Sequence, residues 1–227
     1  MERQLIEQFI YFCNKNLDLN SSLYAEPYHS LSVCIIDCIF SLRTRYFSVT
    51  VPIVKRYAAT YMQGNDKAYG DNLVEFTKHI EEVGGCSEFT VKILKNNQKL
   101  SGRLKSEICY ELAKKLLLLN INTIEDFQNF QPIELLETVI SSVKGIGAAG
   151  LNYLFMLAGD PNRCKPDVHI HHCIRDACGI DISNDNCQKL FTEAVDILKI
   201  NFPYMSVRLL DGIIWKKYQA KPRKNLI

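Results

Sequence analysis

Apolar residues return every three or four positions along most of the chain, and that spacing admits helices and little else. Leu5, Ile6, Phe9, Ile10, Phe12 and Cys13 do so in the first segment, and Ile108, Leu112 and Leu116 do so in "SEICYELAKKLLLL". No run alternates apolar and polar residues as a half-buried strand would, so the expected class is all-α, with about ten helices. Ser106 and Thr123 stand just before apolar-periodic runs with acidic residues in the turn that follows, and both are read as N-caps. Turn-forming compositions at 20–29, 63–72, 84–87, 120–123, 160–166 and 181–186 separate the helices. The basic tail "KKYQAKPRKNLI" is expected to fray.

Several classes are set aside by composition. A hydrophobic fraction of 47% over 227 residues suits a folded chain of one large or two modest domains. The net charge of +2 neither demands nor forbids a nucleic-acid partner, so any basic surface must come from local arrangement. The nine cysteines are odd in number, form no CxxC pair and fall in apolar stretches, which points to reduced, buried thiols and assigns them no metal. The opening "MERQLIEQFIYFCNKN" lacks the charge pattern of a signal peptide. The longest apolar stretch, 31–42, is interrupted by Asp37 and falls short of the roughly 18 residues that mark a membrane span. A soluble intracellular protein, cytoplasmic, nucleoid-associated or nuclear, with no membrane partner is expected.

Chemistry concentrates in "SSVKGIGAAGLNYLFMLAGDPNRCKPDVHIHH", residues 141–172. Val139, Ile140 and Val143 end one apolar-periodic helix, and Leu151, Leu154, Phe155 and Leu157 line the next, so Gly145-Ile146-Gly147 must form a tight hairpin between them. The two glycines permit positive φ and close backbone approach, and Ile146 can pin the turn between the helices. The amides of Gly147, Ala148 and Ala149 then open a helix whose unpaired N–H groups and positive dipole end suit a phosphate oxygen. By itself a GxG between helices is equally well only a turn. Further on comes "KPDVHI", with Asp167 placed to cap the helix that begins "VHIHHCI". His169, His171 and His172 have no metal-binding register and are read as structural.

The order of hairpin, helix, short polar loop, Asp, x, His resembles the helix-hairpin-helix DNA glycosylase superfamily, the endonuclease III group. Its members carry an LPGhG hairpin ahead of a "VDTHV"-like segment with a catalytic aspartate. Asp167 matches that aspartate and His169 the histidine after it. In "DCIFSLRTRYFSVTVPIVKRY" (37–57), Ser41-Leu42-Arg43 is similar to the family segment that wedges a residue into DNA, which puts Arg43 at the wedge. The likeness spans roughly 35–175. It implies a lobe over 29–160, of six helices ending in the hairpin, and a second made of 1–28 with 161–227 that carries the aspartate. It also implies a DNA cleft between the lobes, DNA contacts from Lys144, Gly145, Ile146, Gly147, Ala148 and Ala149, and a monovalent cation on the carbonyls of Ser141, Val143 and Ile146.

Three departures shape the expected chemistry. Ala149 stands where bifunctional members have the lyase lysine, Lys144 replaces the hairpin proline, and no cysteine follows Cys187, so the iron–sulfur loop is missing and no cofactor is expected. The implied activity is a monomeric, monofunctional glycosylase that removes a damaged or mispaired base from double-stranded DNA without cutting the strand. Two other readings stay open: a non-catalytic helix-hairpin-helix DNA-binding protein, and an abasic-site lyase using another lysine such as Lys144. Arg45 beside Arg43 is a further candidate to fill the hole left by a flipped base, and Arg103 with Lys105 for a second phosphate contact, each also readable as an ordinary surface cation. Tyr28, Asp37, Tyr153 and Phe155 are open choices for a base pocket.

Overall fold

The computed structural model describes residues 2–21, 27–69 and 71–219, so parts of the 20–29 break and of the basic tail lie outside the described residues. Twelve α-helices run through them in chain order: α1 (Arg3–Asn16), α2 (Leu31–Ser41), α3 (Val51–Tyr61), α4 (Leu73–Glu82), α5 (Cys86–Phe89) and α6 (Lys105–Leu118). The series continues with α7 (Ile124–Asn129), α8 (Ile133–Ser141), α9 (Ala148–Leu157), α10 (Val168–Cys178), α11 (Asn184–Leu198) and α12 (Val207–Gln219). Five-residue π-helical turns, Tyr46–Thr50 and Thr90–Leu94, adjoin α3 and α5. The class is therefore all-α, with more and shorter helices than expected.

One departure from pure helix is a two-stranded ribbon, β1 (Lys99–Leu100) against β2 (Arg103–Leu104), with Lys99 opposite Leu104. Two-residue strands are too short to produce a readable alternation. Their turn, Ser101 (φ 53°) and Gly102 (φ 85°), has positive φ at both central positions, the geometry whose twist matches antiparallel strands.

The chain divides into two compact units. Glu26–Gly159 holds α2 to α9 among its described residues, where six helices were expected; the short α5 and α7 are among the additions. Its centre is α2, whose eleven residues are all buried, which explains why this stretch shows no polar face. Ser30 caps it by accepting the Val33 amide (3.3 Å). Helices α3, α6 and α9 pack on it, placing Phe40, Ile53, Ile108, Leu112, Leu154 and their neighbours in one core. Each such aliphatic or aromatic side chain contributes about 1.5–3 kcal/mol by leaving water.

Thr123 caps α7 as expected: its hydroxyl accepts the Asp126 amide (3.2 Å), and Asp126 accepts the Thr123 amide in return (2.9 Å). Ser106 does not cap α6. That helix begins one residue earlier, Glu107 accepts the Leu104 amide (3.0 Å), and Ser106 is buried against Thr90 (2.6 Å). The second unit, Met1–Ala25 with Asp160–Ile227, packs α1, α10, α11 and α12 around Phe9, Cys13, Ile174, Phe191, Leu210 and Ile214. None of the nine cysteines, all of them among the described residues, forms a disulfide, and Cys86 and Cys178 are the two that are not fully buried. Among the described residues no helix is long and apolar enough to cross a membrane.

Candidate functional site

Helices α8 and α9 meet through residues 142–147. Gly145 turns the chain with φ +114°, a conformation that favours glycine, and a Cβ there would stand a tight 3.1 Å from Ile108 Cδ1 and 3.3 Å from Leu100 Cδ2. Ile146 is buried, and its amide donates to the Val143 carbonyl (3.0 Å). Gly147 corrects the expectation of two strained glycines. Its φ of −101° and ψ of −173° are extended backbone open to any residue, and a Cβ there would meet nothing within 4 Å. It is the N-cap of α9 and gives no side-chain cap, so the first amides of that helix have no capping side chain. Lys144 is exposed beside them, and Ala148 and Ala149 are half-buried.

The Arg43 segment lies next to this helix end. A Cβ at Gly150 would stand 3.4 Å from Leu42 Cδ1, and the Cys38 thiol donates to the Gly150 carbonyl (3.2 Å). Arg43 adopts the left-handed conformation (φ 58°), and Arg43, Arg45 and Phe47 are all exposed. What fixes this loop is Lys105, which corrects its reading as a phosphate contact. Its side chain is buried, and Nζ donates to the carbonyls of Leu42 (2.8 Å), Phe40 (3.2 Å) and the Gln98 side chain (3.4 Å). Burial pushes its amine down to about 8. Arg103 is likewise engaged, on Glu111 (2.6 Å). Lys105→Met is expected to lower stability by about 1–2 kcal/mol in urea denaturation, because the Leu42 carbonyl loses its Lys105 donor while the Phe40 carbonyl keeps the Thr44 hydroxyl.

Below the loop, Asp37 collects three phenols. Tyr28 (2.8 Å) and Tyr46 (2.7 Å) donate to one carboxylate oxygen, and Tyr153 (3.0 Å) donates to the other. Burial first, and then the Asp37 charge, raise all three phenols above their ordinary range. Lys67 stands 3.6 Å over the Tyr28 ring. The cluster ties the stretch before α2, the π-turn and α9 together. Phe155, the remaining pocket choice, packs on Phe127 in the core (5.0 Å).

Asp167 lies in the other unit, as the N-cap of α10. Its Oδ1 accepts the amides of His169 (2.8 Å) and Ile170 (3.4 Å). Among the described residues no donor reaches its second oxygen at hydrogen-bond distance. The loop leading to it is strapped down by α11 and α12. Gln188 accepts the Cys164 amide (3.0 Å) and donates to the Asn162 carbonyl (2.7 Å), and the Arg208 amide donates to the Pro161 carbonyl (3.0 Å). Asp211 accepts the Lys165 amide (2.8 Å). This buried carboxyl was not anticipated. Burial, then the neighbouring Asp167 charge, push it up to about 8, against the weaker pull of the Lys165 amide. Its sequence signal is a lone acid among Leu209, Leu210, Ile213 and Ile214.

The histidines after Asp167 gather no metal-binding cluster among the described residues. His171 instead meets Asn184 (2.9 Å). A comparison with the curated proteins finds no match to this sequence. The family model described as "Domain of unknown function (DUF8548)" matches residues 7–220, and the chain belongs to that family.

Proposed function

We propose that the chain removes a damaged or mispaired base from double-stranded DNA by hydrolysing its N-glycosidic bond. The observation that carries this reading is Asp167: one oxygen is committed to the first amides of α10, which fixes the carboxylate, and the other remains for chemistry. Capping alone does not require the "KPDVHI" context that resembles the helix-hairpin-helix glycosylases. In that chemistry the target nucleotide leaves the stack, and the sugar becomes oxocarbenium-like as the base departs. A fixed carboxylate stabilises that positive charge or orients the attacking water.

DNA is held, in this reading, by the amides of Gly147, Ala148 and Ala149 and by the Lys144 ammonium, through a phosphate. Gly147 supports it, since neither its backbone nor its surroundings call for glycine, whereas a closely approaching phosphate does. Arg43, held outward by the loop that Lys105 secures, fills the space left by the extruded nucleotide. A monovalent cation fits the same hairpin: no backbone amide of the described residues donates to the carbonyls of Ser141 or Ile146, and that of Val143 accepts one bond. With Ala149 in place of a lysine, no imine forms at that position, and water is the nucleophile.

The test presents duplexes carrying uracil, hypoxanthine, alkylated purines, oxidised bases or mismatches and resolves the strands with and without alkali. Breaks that need alkali, with no borohydride-trapped protein–DNA adduct, are expected. Breaks without alkali together with trapping would transfer the chemistry to a lysine such as Lys144. Binding of every duplex with no excision would leave a DNA-binding module and end the enzyme reading.

A further inference from the structure

Asp211 occupies an expensive position. Its side chain is buried on the core face of α12, and among the described residues the one hydrogen bond it accepts comes from the Lys165 amide (2.8 Å). That amide belongs to the loop whose last residue is Asp167, and the Asp167 amide closes the loop by donating to the Lys165 carbonyl (2.6 Å). A leucine or asparagine would fill α12 without a second carboxyl next to Asp167. Buried acids that are held near another acid, at a cost to the fold, concentrate where the pair has work to do.

We propose that Asp211 is a positioning residue for Asp167, holding from α12 the loop that ends in the excision carboxylate. The inference rests on the reading of Asp167 given above. Around neutral pH Asp211 keeps its proton, so it adds no second charge to the loop, and the Lys165 amide still has its acceptor. Above about pH 8 the proton leaves, and a charge that Asp167 disfavours is added beside the loop. The charged groups that face Asp211 are Asp167 at the start of α10, Lys165 on the loop and Arg208 on its own helix; the Cys164 thiol is also close, and α11 contributes the neutral Gln188 to the same loop. Asp167 acts on Asp211 more strongly than either cation does, and with the second charge in place the loop loosens.

The sign of the stability effect follows from linkage. A carboxyl ordinarily near 3.8 and raised to about 8 in the fold binds one more proton folded than unfolded between those values, so stability declines as pH rises through that window. Asp211→Asn removes the decline.

The experiment combines single-turnover excision across pH with carbon-13 carboxyl titration of the full chain. Asp211→Ala is expected to lower the excision rate on the order of tenfold near neutral pH, since small misplacements of a reacting group are costly. Asp211→Asn should recover most of that loss. Wild-type rate should fall above about pH 8 along a single ionisation, and Asp211→Asn should lack that limb. In the titration the Asp211 midpoint should drop in Asp167→Asn, which removes a like charge. Identical rates and pH profiles for wild type, Asp211→Ala and Asp211→Asn would overturn the proposal while leaving excision by Asp167 intact. If wild type excises nothing, the glycosylase reading fails. The titration, with amide exchange of residues 165–167 in Asp211→Ala, then still decides: an unmoved midpoint and unchanged exchange sink the positioning role, and a lowered midpoint with faster exchange upholds it.

Discussion

Asp167→Asn is expected to fold as the parent does and to lose base excision on the order of a thousandfold, a loss typical of removing one preorganised electrostatic stabiliser. The variant separates the cap that Asp167 forms from the catalytic role proposed for it. As an N-cap, Asp167 has extended backbone (φ −99°, ψ −176°) and uses Oδ1 to accept the His169 and Ile170 amides. Asparagine presents a carbonyl oxygen at the same place and ranks with aspartate as a cap, so urea midpoints should agree to within about 0.5 kcal/mol. The charge is what disappears, and a neutral amide neither stabilises an oxocarbenium-like sugar nor orients water as a base. Asp167→Ala supplies the contrast: it forfeits the cap as well, costing about 1 kcal/mol, with the same loss of excision. Retained excision in Asp167→Asn would reduce Asp167 to a helix cap, as would excision and stability declining together across both variants.

The parts that could be read from sequence are those whose cause is local. Three- and four-residue periodicity marks the helices, because an amphipathic helix writes its buried face into its own sequence. Thr123 is legible as a cap because its partner Asp126 is three residues away. Asp167 is legible for the same reason, since the amides it caps follow directly. The cap assigned to Ser106 fails because distant groups decide the matter: its hydroxyl donates to the Cys86 carbonyl and meets the Thr90 hydroxyl, and the helix starts at Lys105. Lys105 itself looks like any surface cation beside a loop until α2 is placed against it, when its ammonium becomes the donor for the Phe40 and Leu42 carbonyls. The Asp37 cluster draws on Tyr28, Tyr46 and Tyr153, three segments with no common pattern. Asp211 left a trace, an acid interrupting an apolar helical face, yet nothing in the chain order connects it to Asp167. Chemistry assembled by packing is invisible to spacing, and its best sequence signal is a charge where burial is expected.

The two hairpin glycines should respond in opposite ways. Gly145→Ala is expected to lower stability by about 2–3 kcal/mol in urea denaturation, combining the cost of a left-handed alanine with a Cβ forced against Ile108 and Leu100. Those two side chains belong to α6 and the β-ribbon, and each would have to give by a few tenths of an ångström. Gly147→Ser should leave stability unchanged or raise it by a few tenths of a kcal/mol, because its backbone is extended, its surroundings are open and serine caps a helix better than glycine. The serine side chain would nonetheless stand over the first amides of α9, where a phosphate oxygen is proposed to dock. Duplex DNA affinity, measured at fixed salt, should therefore fall on the order of tenfold in Gly147→Ser, about 1.4 kcal/mol. A stable Gly147→Ser that binds duplex as tightly as the parent would place the phosphate contact elsewhere on the chain. A Gly145→Ala that is as stable as the parent would show instead that the turn adapts, and the fixed geometry argued for the α9 amides would go with it.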